Sequence, residues 1–248
     1  MVISFLAGII IGSFLNVLIY RLPRRESIIF PSSHCPHCGV ALAVQDLVPL
    51  FSFLCLKGRC RFCGAAIHWR YPLAELLTGS VFVAFYTFFG LNILMLKYLF
   101  LACLLIAVAF IDLEHYTIPD SLNLTILAGG ILLNAAARDL SVTSILLGAF
   151  IPAAALAVLA VVSRGGMGGG DVKLIGAAGI FLGWPGSIVA LFLACLLAGA
   201  LGSLLLLFKR KKRKDPIPFA PFISAGIFLN IFCGEALLKW YLALLSLD

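Results

Sequence analysis

Two aspartates stand where charge is expensive: Asp112 closes one long apolar run, and Asp171 opens another directly after Gly168-Gly169-Gly170. An ionised carboxylate in hydrocarbon is strongly disfavoured, so acids in such places pair, line a wet cavity or do chemistry. Two that meet cannot both ionise cheaply, and a shared proton leaves one as base and one as donor. That is the apparatus of aspartic proteolysis: the base deprotonates a water attacking a peptide carbonyl, and the acid protonates the developing oxyanion. The same pair suits a proton or cation relay, so a carboxylate-lined membrane transporter stays open as the alternative. Helix ends suggest which acid holds the charge: Asp171 near an N-terminus is expected ionised, Asp112 near a C-terminus protonated.

A second constellation is Cys35-Pro36-His37-Cys38 with Cys60-Arg61-Phe62-Cys63. Paired C-x-x-C knuckles fold two thiolates each around one tetrahedral ion, and four sulfurs close its shell, so Cys35, Cys38, Cys60 and Cys63 read as a structural zinc site. A redox pair or two disulfides compete with it. No thioredoxin-like pattern of strand and helix surrounds either motif, and a cytoplasmic loop is too reducing for stable disulfides. The apolar stretch from Leu47 to Leu56, between the knuckles, is expected to lie on the membrane or on the helical bundle.

The elements that must position these groups are membrane helices. With 62% hydrophobic and 12% charged residues, the 248-residue chain is too apolar for a soluble core. Eight apolar runs are read, roughly 2–20, 74–95, 98–112, 121–138, 144–163, 171–184, 186–208 and 217–242, the third and sixth short. The first lacks the basic start and cleavage site of a secretory signal. All but Lys97, Arg138 and Lys239 of the 18 basic residues fall on one side by alternation, which the positive-inside rule makes cytoplasmic, with the N-terminus external. Parity then puts Asp112 and Asp171 at the cytoplasmic ends of their helices. The run Lys209-Arg210-Lys211-Lys212-Arg213-Lys214 fixes topology and attracts anionic lipid, so the net charge of +7 argues for no nucleic-acid partner. Among the other acids, Glu26, Asp46, Asp139, Asp215 and Asp248 are expected in loops or at the terminus, mostly solvated, and Asp120 after Pro119 is placed to cap the next helix. The Gly-rich run follows a spanning helix and lacks the Lys-Ser/Thr ending of a phosphate loop.

The chain resembles the bacterial prepilin peptidases, intramembrane aspartic proteases of the G-x-G-D type. The residues that carry the likeness are Gly12-Ser13-Phe14-Leu15-Asn16-Val17-Leu18-Ile19-Tyr20-Arg21-Leu22-Pro23, the four cysteines, Gly58-Arg59-Cys60 and Tyr71-Pro72 with Glu75. They continue with Asp112, Ile118-Pro119-Asp120 and Gly168-Gly169-Gly170-Asp171-Val172-Lys173-Leu174. The resemblance implies that Asp112 and Asp171 are the catalytic dyad, cutting the basic leader of type IV prepilins or pseudopilins after a glycine at the cytoplasmic membrane face. It also implies methylation of the new N-terminus with S-adenosylmethionine, and Asn16, Arg21, Tyr71 and Glu75 match the family's N-terminal pattern for that step. Their plainer role would be to anchor the first two segments at the interface. The expectation is an all-α membrane protein with about eight transmembrane helices. Residues 1–73 would hold the first helix and a zinc-stapled loop, and residues 74–248 a peptidase bundle touching lipid on its outside.

Overall fold

Small residues let the first two long helices touch. Gly8, Gly12 and Gly79 leave no room for a side chain: a Cβ on Gly8 would come within 2.7 Å of Gly79 Cα, and one on Gly12 within 2.7 Å of Glu75 Cα. Close backbone approach through small residues is how apolar helices associate in lipid, where burial gives them no drive to do so. Together with Ser4 bonding Phe82 O and Asn16 bonding Tyr71 O, these contacts run antiparallel along α1 (Val2–Arg21) and α3 (Arg70–Phe89). A computed structural model describes residues 1–162, 167–209 and 216–245. Arg164, Gly165, Gly166, the basic residues Arg210 to Lys214, Asp215 and Asp248 lie outside the described residues.

The described residues are helical apart from loops and two isolated bridges. Between α1 and α3 comes the cysteine loop with the short α2 (Phe51–Cys55), and then α4 (Ile93–His115), α5 (Asp120–Ala137), α6 (Val142–Val162), α7 (Gly169–Leu182), α8 (Gly186–Leu207) and α9 (Ala220–Leu244) follow. Among the described residues, seven helices, all but α2 and α7, are long and apolar enough to cross a membrane. The chain packs as two compact units, Met1–Met95 and Leu96–Asp248.

In the second unit α7 is the packing centre, touching α5, α6, α8 and α9. Its 14 residues rise about 21 Å, short of a hydrocarbon core of about 30 Å, as expected for the sixth segment. Leu174, Ile175 and residues 177–182 are all buried, so α7 is enclosed by protein rather than lipid. The crossing with α6 is glycine-dependent, because a Cβ on Gly148 would meet the Gly183 backbone at 2.6 Å.

The third segment is not short, as the sequence suggested, but a 23-residue helix. Gly90 at φ +71° ends α3, and the Asn92 side chain accepts the Met95 amide at 2.8 Å, starting α4 before Lys97. Lys97 is therefore no loop residue. It is wholly buried, and its ammonium donates to Asn134 Oδ1 at 2.8 Å and to both Asp139 oxygens at 2.9 and 2.8 Å. Asn134 in turn donates to Gly130 O and to Ile180 O on α7. Asp139, expected to be solvated, serves instead as the counter-ion of this network. Asp46 also departs from expectation: its carboxylate is almost enclosed and pairs with Arg61 at 2.8 Å.

Candidate active site

Asp112 lies one turn before the end of α4, where Tyr116 at φ +55° breaks the helix and returns its amide to Asp112 O. The side chain is 5% exposed, and its Oδ2 accepts the Ala220 amide at 3.0 Å, with the Phe219 amide as a second donor. Those amides belong to the N-terminus of α9. As the first amides of a helix they have no intrahelical acceptor, and the prolines of Pro216-Ile217-Pro218-Phe219-Ala220-Pro221 mark that helix start. Asp112 thus ends one helix while capping another, and the expected contrast, a C-terminal acid against an N-terminal one, disappears: both acids face helix N-termini.

Asp171 lies in the first turn of α7, 7% exposed. Its Oδ2 accepts the Gly168 amide at 3.2 Å, while Oδ1 is buried with no hydrogen-bond partner among the described residues. Asp112 is near enough for its charge to act on Asp171. The turns that carry the two acids are brought together by neighbours in sequence. A Cβ on Gly170 would reach Ile118 Cβ at 3.2 Å, so the missing side chain lets the turn after α4 close onto the start of α7. Lys173 bonds Asp120 across the same junction at 2.8 Å. Asp120 is therefore not the cap expected of it: Pro119 is the cap residue, and the Asp120 carboxylate turns to Lys173.

In the first unit the four cysteines converge, with their sulfurs all within 4.8 Å of one another and Cys35 Sγ 3.9 Å from Cys63 Sγ. Tetrahedral bonds of about 2.3 Å set sulfurs about 3.8 Å apart, so the cluster fits a four-thiolate ion. The two knuckles repeat one backbone pattern. Cys35 N bonds Val40 O and Gly39 N bonds Cys35 O, as Cys60 N bonds Ala65 O and Gly64 N bonds Cys60 O, with Gly39 and Gly64 at φ +72° and +70°. The Cys38 amide is the main influence bringing the Cys35 thiol down to about 6, against the opposing effect of burial. At Cys63 the Ala65 amide pulls down, but burial and the hydrogen bonds shared with the other thiols prevail and push it up to about 11.

Of the four polar residues in the N-terminal pattern, the structure joins Asn16 to Tyr71: Asn16 Nδ2 donates to the Tyr71 carbonyl at 3.0 Å, and Asn16 Oδ1 is buried without a partner among the described residues. Glu75, 8% exposed, accepts the Leu50 amide at 2.8 Å and a hydrogen bond from Ser13. Arg21 is spent on the loop, donating to the carbonyls of Ser27, Pro31 and Ser32. The α9 amides that serve Asp112 went unseen in the sequence, although the proline run at 216–221 marks where donors would be left over.

Apolar helices long enough to span, with two buried aspartates among them, mark a multi-pass membrane protein with a candidate acid-pair site. Residues 6–89 match the Bacterial Peptidase A24 N-terminal domain and residues 99–203 match the Type IV leader peptidase family. The chain belongs to the type IV leader peptidase family. It is 35% identical over 267 residues to the prepilin leader peptidase/N-methyltransferase of Aeromonas hydrophila, covering 96% of this chain and 92% of that protein. To the protein of the same name from Bacillus subtilis (strain 168) it is 36% identical over 244 residues, covering 97% of each. No solved structure matches the chain.

Proposed function

We propose that the protein is a prepilin or pseudopilin leader peptidase of the inner membrane that then methylates the N-terminus it exposes. The observation that carries the peptidase reading is the junction of the turn after Asp112 with the turn that carries Asp171, closed by Ile118 against Gly170 and by Lys173 on Asp120, which brings together two buried acids from distant stretches of chain, one of them with an oxygen that no described group satisfies. Relatives of nearly the same length bear the name of both activities, and the comparisons lend no support to the transporter alternative.

In the proposed mechanism Asp112, held by the α9 amide, carries the negative charge, and Asp171 Oδ1 carries the shared proton. This reverses the assignment suggested by helix ends alone. Water between the carboxylates gives a proton to Asp112 as its oxygen bonds to the scissile carbonyl carbon, and Asp171 protonates the carbonyl oxygen. The resulting gem-diol collapses as the C–N bond breaks, with Asp112 returning its proton to the departing amine and a diol hydroxyl returning one to Asp171. Substrate docks as a helix whose leader junction unwinds, because an amide inside a helix is shielded from attack. Positive-inside reasoning puts the dyad at the cytoplasmic face and the N-terminus outside.

S-adenosylmethionine, when bound, supplies an electrophilic methyl group. Asn16 Oδ1 and the Glu75 carboxylate are buried acceptors suited to a cation or an amine, beside the Tyr71 backbone, and Arg21 holds the loop around them. Zinc is the metal proposed for Cys35, Cys38, Cys60 and Cys63, with a purely structural role. The proposed functional division falls after residue 73, in the first turn of α3.

The test incubates purified protein with a prepilin and S-adenosylmethionine and follows both products by mass spectrometry. Cleavage should vanish in Asp112→Asn and in Asp171→Asn; survival in either removes the mechanism. Cys35→Ser should lose stoichiometric zinc, and a variant that keeps it overturns the metal assignment.

A further inference from the structure

The loop between α1 and α3 is built inside out. Along 44–54 the apolar side chains Val44, Leu47, Val48, Phe51 and Leu54 recur at helical spacing, and all are exposed, Val44 at 84%, Phe51 at 65% and Leu54 at 72%. The acid of the same stretch, Asp46, turns inward to Arg61 of the second knuckle and to the Ala43 amide. A soluble domain folds with the opposite polarity, and apolar side chains clustered on a surface mark contact with a partner or a membrane.

Where this stripe sits is fixed by two buried charged residues at the membrane ends of the flanking helices. Glu75, more than one turn inside α3, accepts the amide of Leu50, which adopts φ +61°, in the middle of the stripe. Arg21, the last residue of α1, grips the carbonyls of Ser27, Pro31 and Ser32, and between them Ile28, Ile29 and Phe30 stand exposed, the last two at 71% and 76%. Both apolar segments are therefore held at the level where spanning helices leave the bilayer. Exposed Arg24, Arg25, Lys57 and Arg59 accompany them. Apolar side chains at interface depth with cationic neighbours are the composition of a segment lying in a phospholipid surface.

We propose that the cysteine loop docks flat on the bilayer, with Val44, Phe51 and Leu54 and the Ile28–Phe30 tip inserted among the lipids of the leaflet from which α3 starts. The inference rests on the spanning helices and not on the enzymatic reading. Glu75 and Arg21 then act as depth pins, and the metal cluster fixes the shape of the raft they hold.

Photocrosslinking in nanodiscs of phosphatidylethanolamine and phosphatidylglycerol tests this, with the full chain carrying benzoylphenylalanine at Phe51, at Leu54 or, as control, at His37 in the exposed turn of the first knuckle. Mass spectrometry of the labelled peptides should show phospholipid adducts at 51 and 54 at least tenfold above those at 37. Adducts to another segment of this chain, adducts to added prepilin, or a yield at 51 and 54 no greater than at 37 would each overturn the proposal. Because no activity is read, these outcomes are independent of whether the protein cuts prepilins.

Discussion

The helix α4 carries two buried charges, and they are treated in opposite ways. Lys97 has each of its three ammonium donors satisfied, by Asn134 and by both oxygens of Asp139. Asp112, some 15 residues further and about 22 Å along the same helix, has among the described residues no cation beside it but a second acid, Asp171, near enough to feel its charge, and Asp171 keeps an oxygen with no described partner. A buried charge is tolerated when it is paired and fully hydrogen-bonded. The first site meets that condition and only holds helices together. The second does not, and that unfilled hydrogen-bonding capacity is what sets it apart as the proposed site of reaction.

The sharpest way to break the comparison is to remove charge from each site and read both activity and stability. Asp112→Asn and Asp171→Asn should each lower prepilin cleavage by about a thousandfold or more, with thermal unfolding in detergent unchanged or shifted upward, since the pair can no longer place an uncompensated negative charge in a buried site. Lys97→Met should do the reverse in kind: stranding Asp139 and Asn134 should cost about 3–5 kcal/mol in unfolding free energy. The double variant Lys97→Met/Asp139→Leu should recover most of that loss, and a double variant as unstable as the single would refute the view of this network as a neutralised pair. Gly170→Ala pushes on Ile118 at the junction between the acids. It should slow cleavage by about tenfold while costing no more than about 1–2 kcal/mol, seen as a fall in kcat at constant KM. Smallest is Lys173→Met: the pair with Asp120 is largely solvated, so its loss should change stability by less than about 1 kcal/mol and cleavage only a few-fold.

These sites were not equally legible. Asp112, Asp171 and the four cysteines announce themselves by type and spacing, because a carboxylate ending an apolar run or a C-x-x-C repeat has few inexpensive explanations. Lys97 announces nothing. In a hydropathy reading a lysine ends a span, so α4 was expected to begin after it, and the partners that let it enter the helix, Asn134 and Asp139, are supplied by tertiary structure. Asp46 escaped in the same way, since Arg61 is its partner only once the loop has folded around the knuckles. The capping of Asp112 by α9 was hidden for a different reason: its donors are backbone amides, which every residue type but proline possesses, and only the prolines around them leave a trace in the sequence.

That last contact reaches beyond the stretch that matches the peptidase family, which stops at residue 203. The final helix contributes no acid to the pair, yet its first peptide groups hold Asp112 in place. A shortened protein ending after α8 would keep both aspartates and still lose the clamp on one of them. The same reasoning favours attaching a purification tag at the far end of α9, away from the residues where that helix begins.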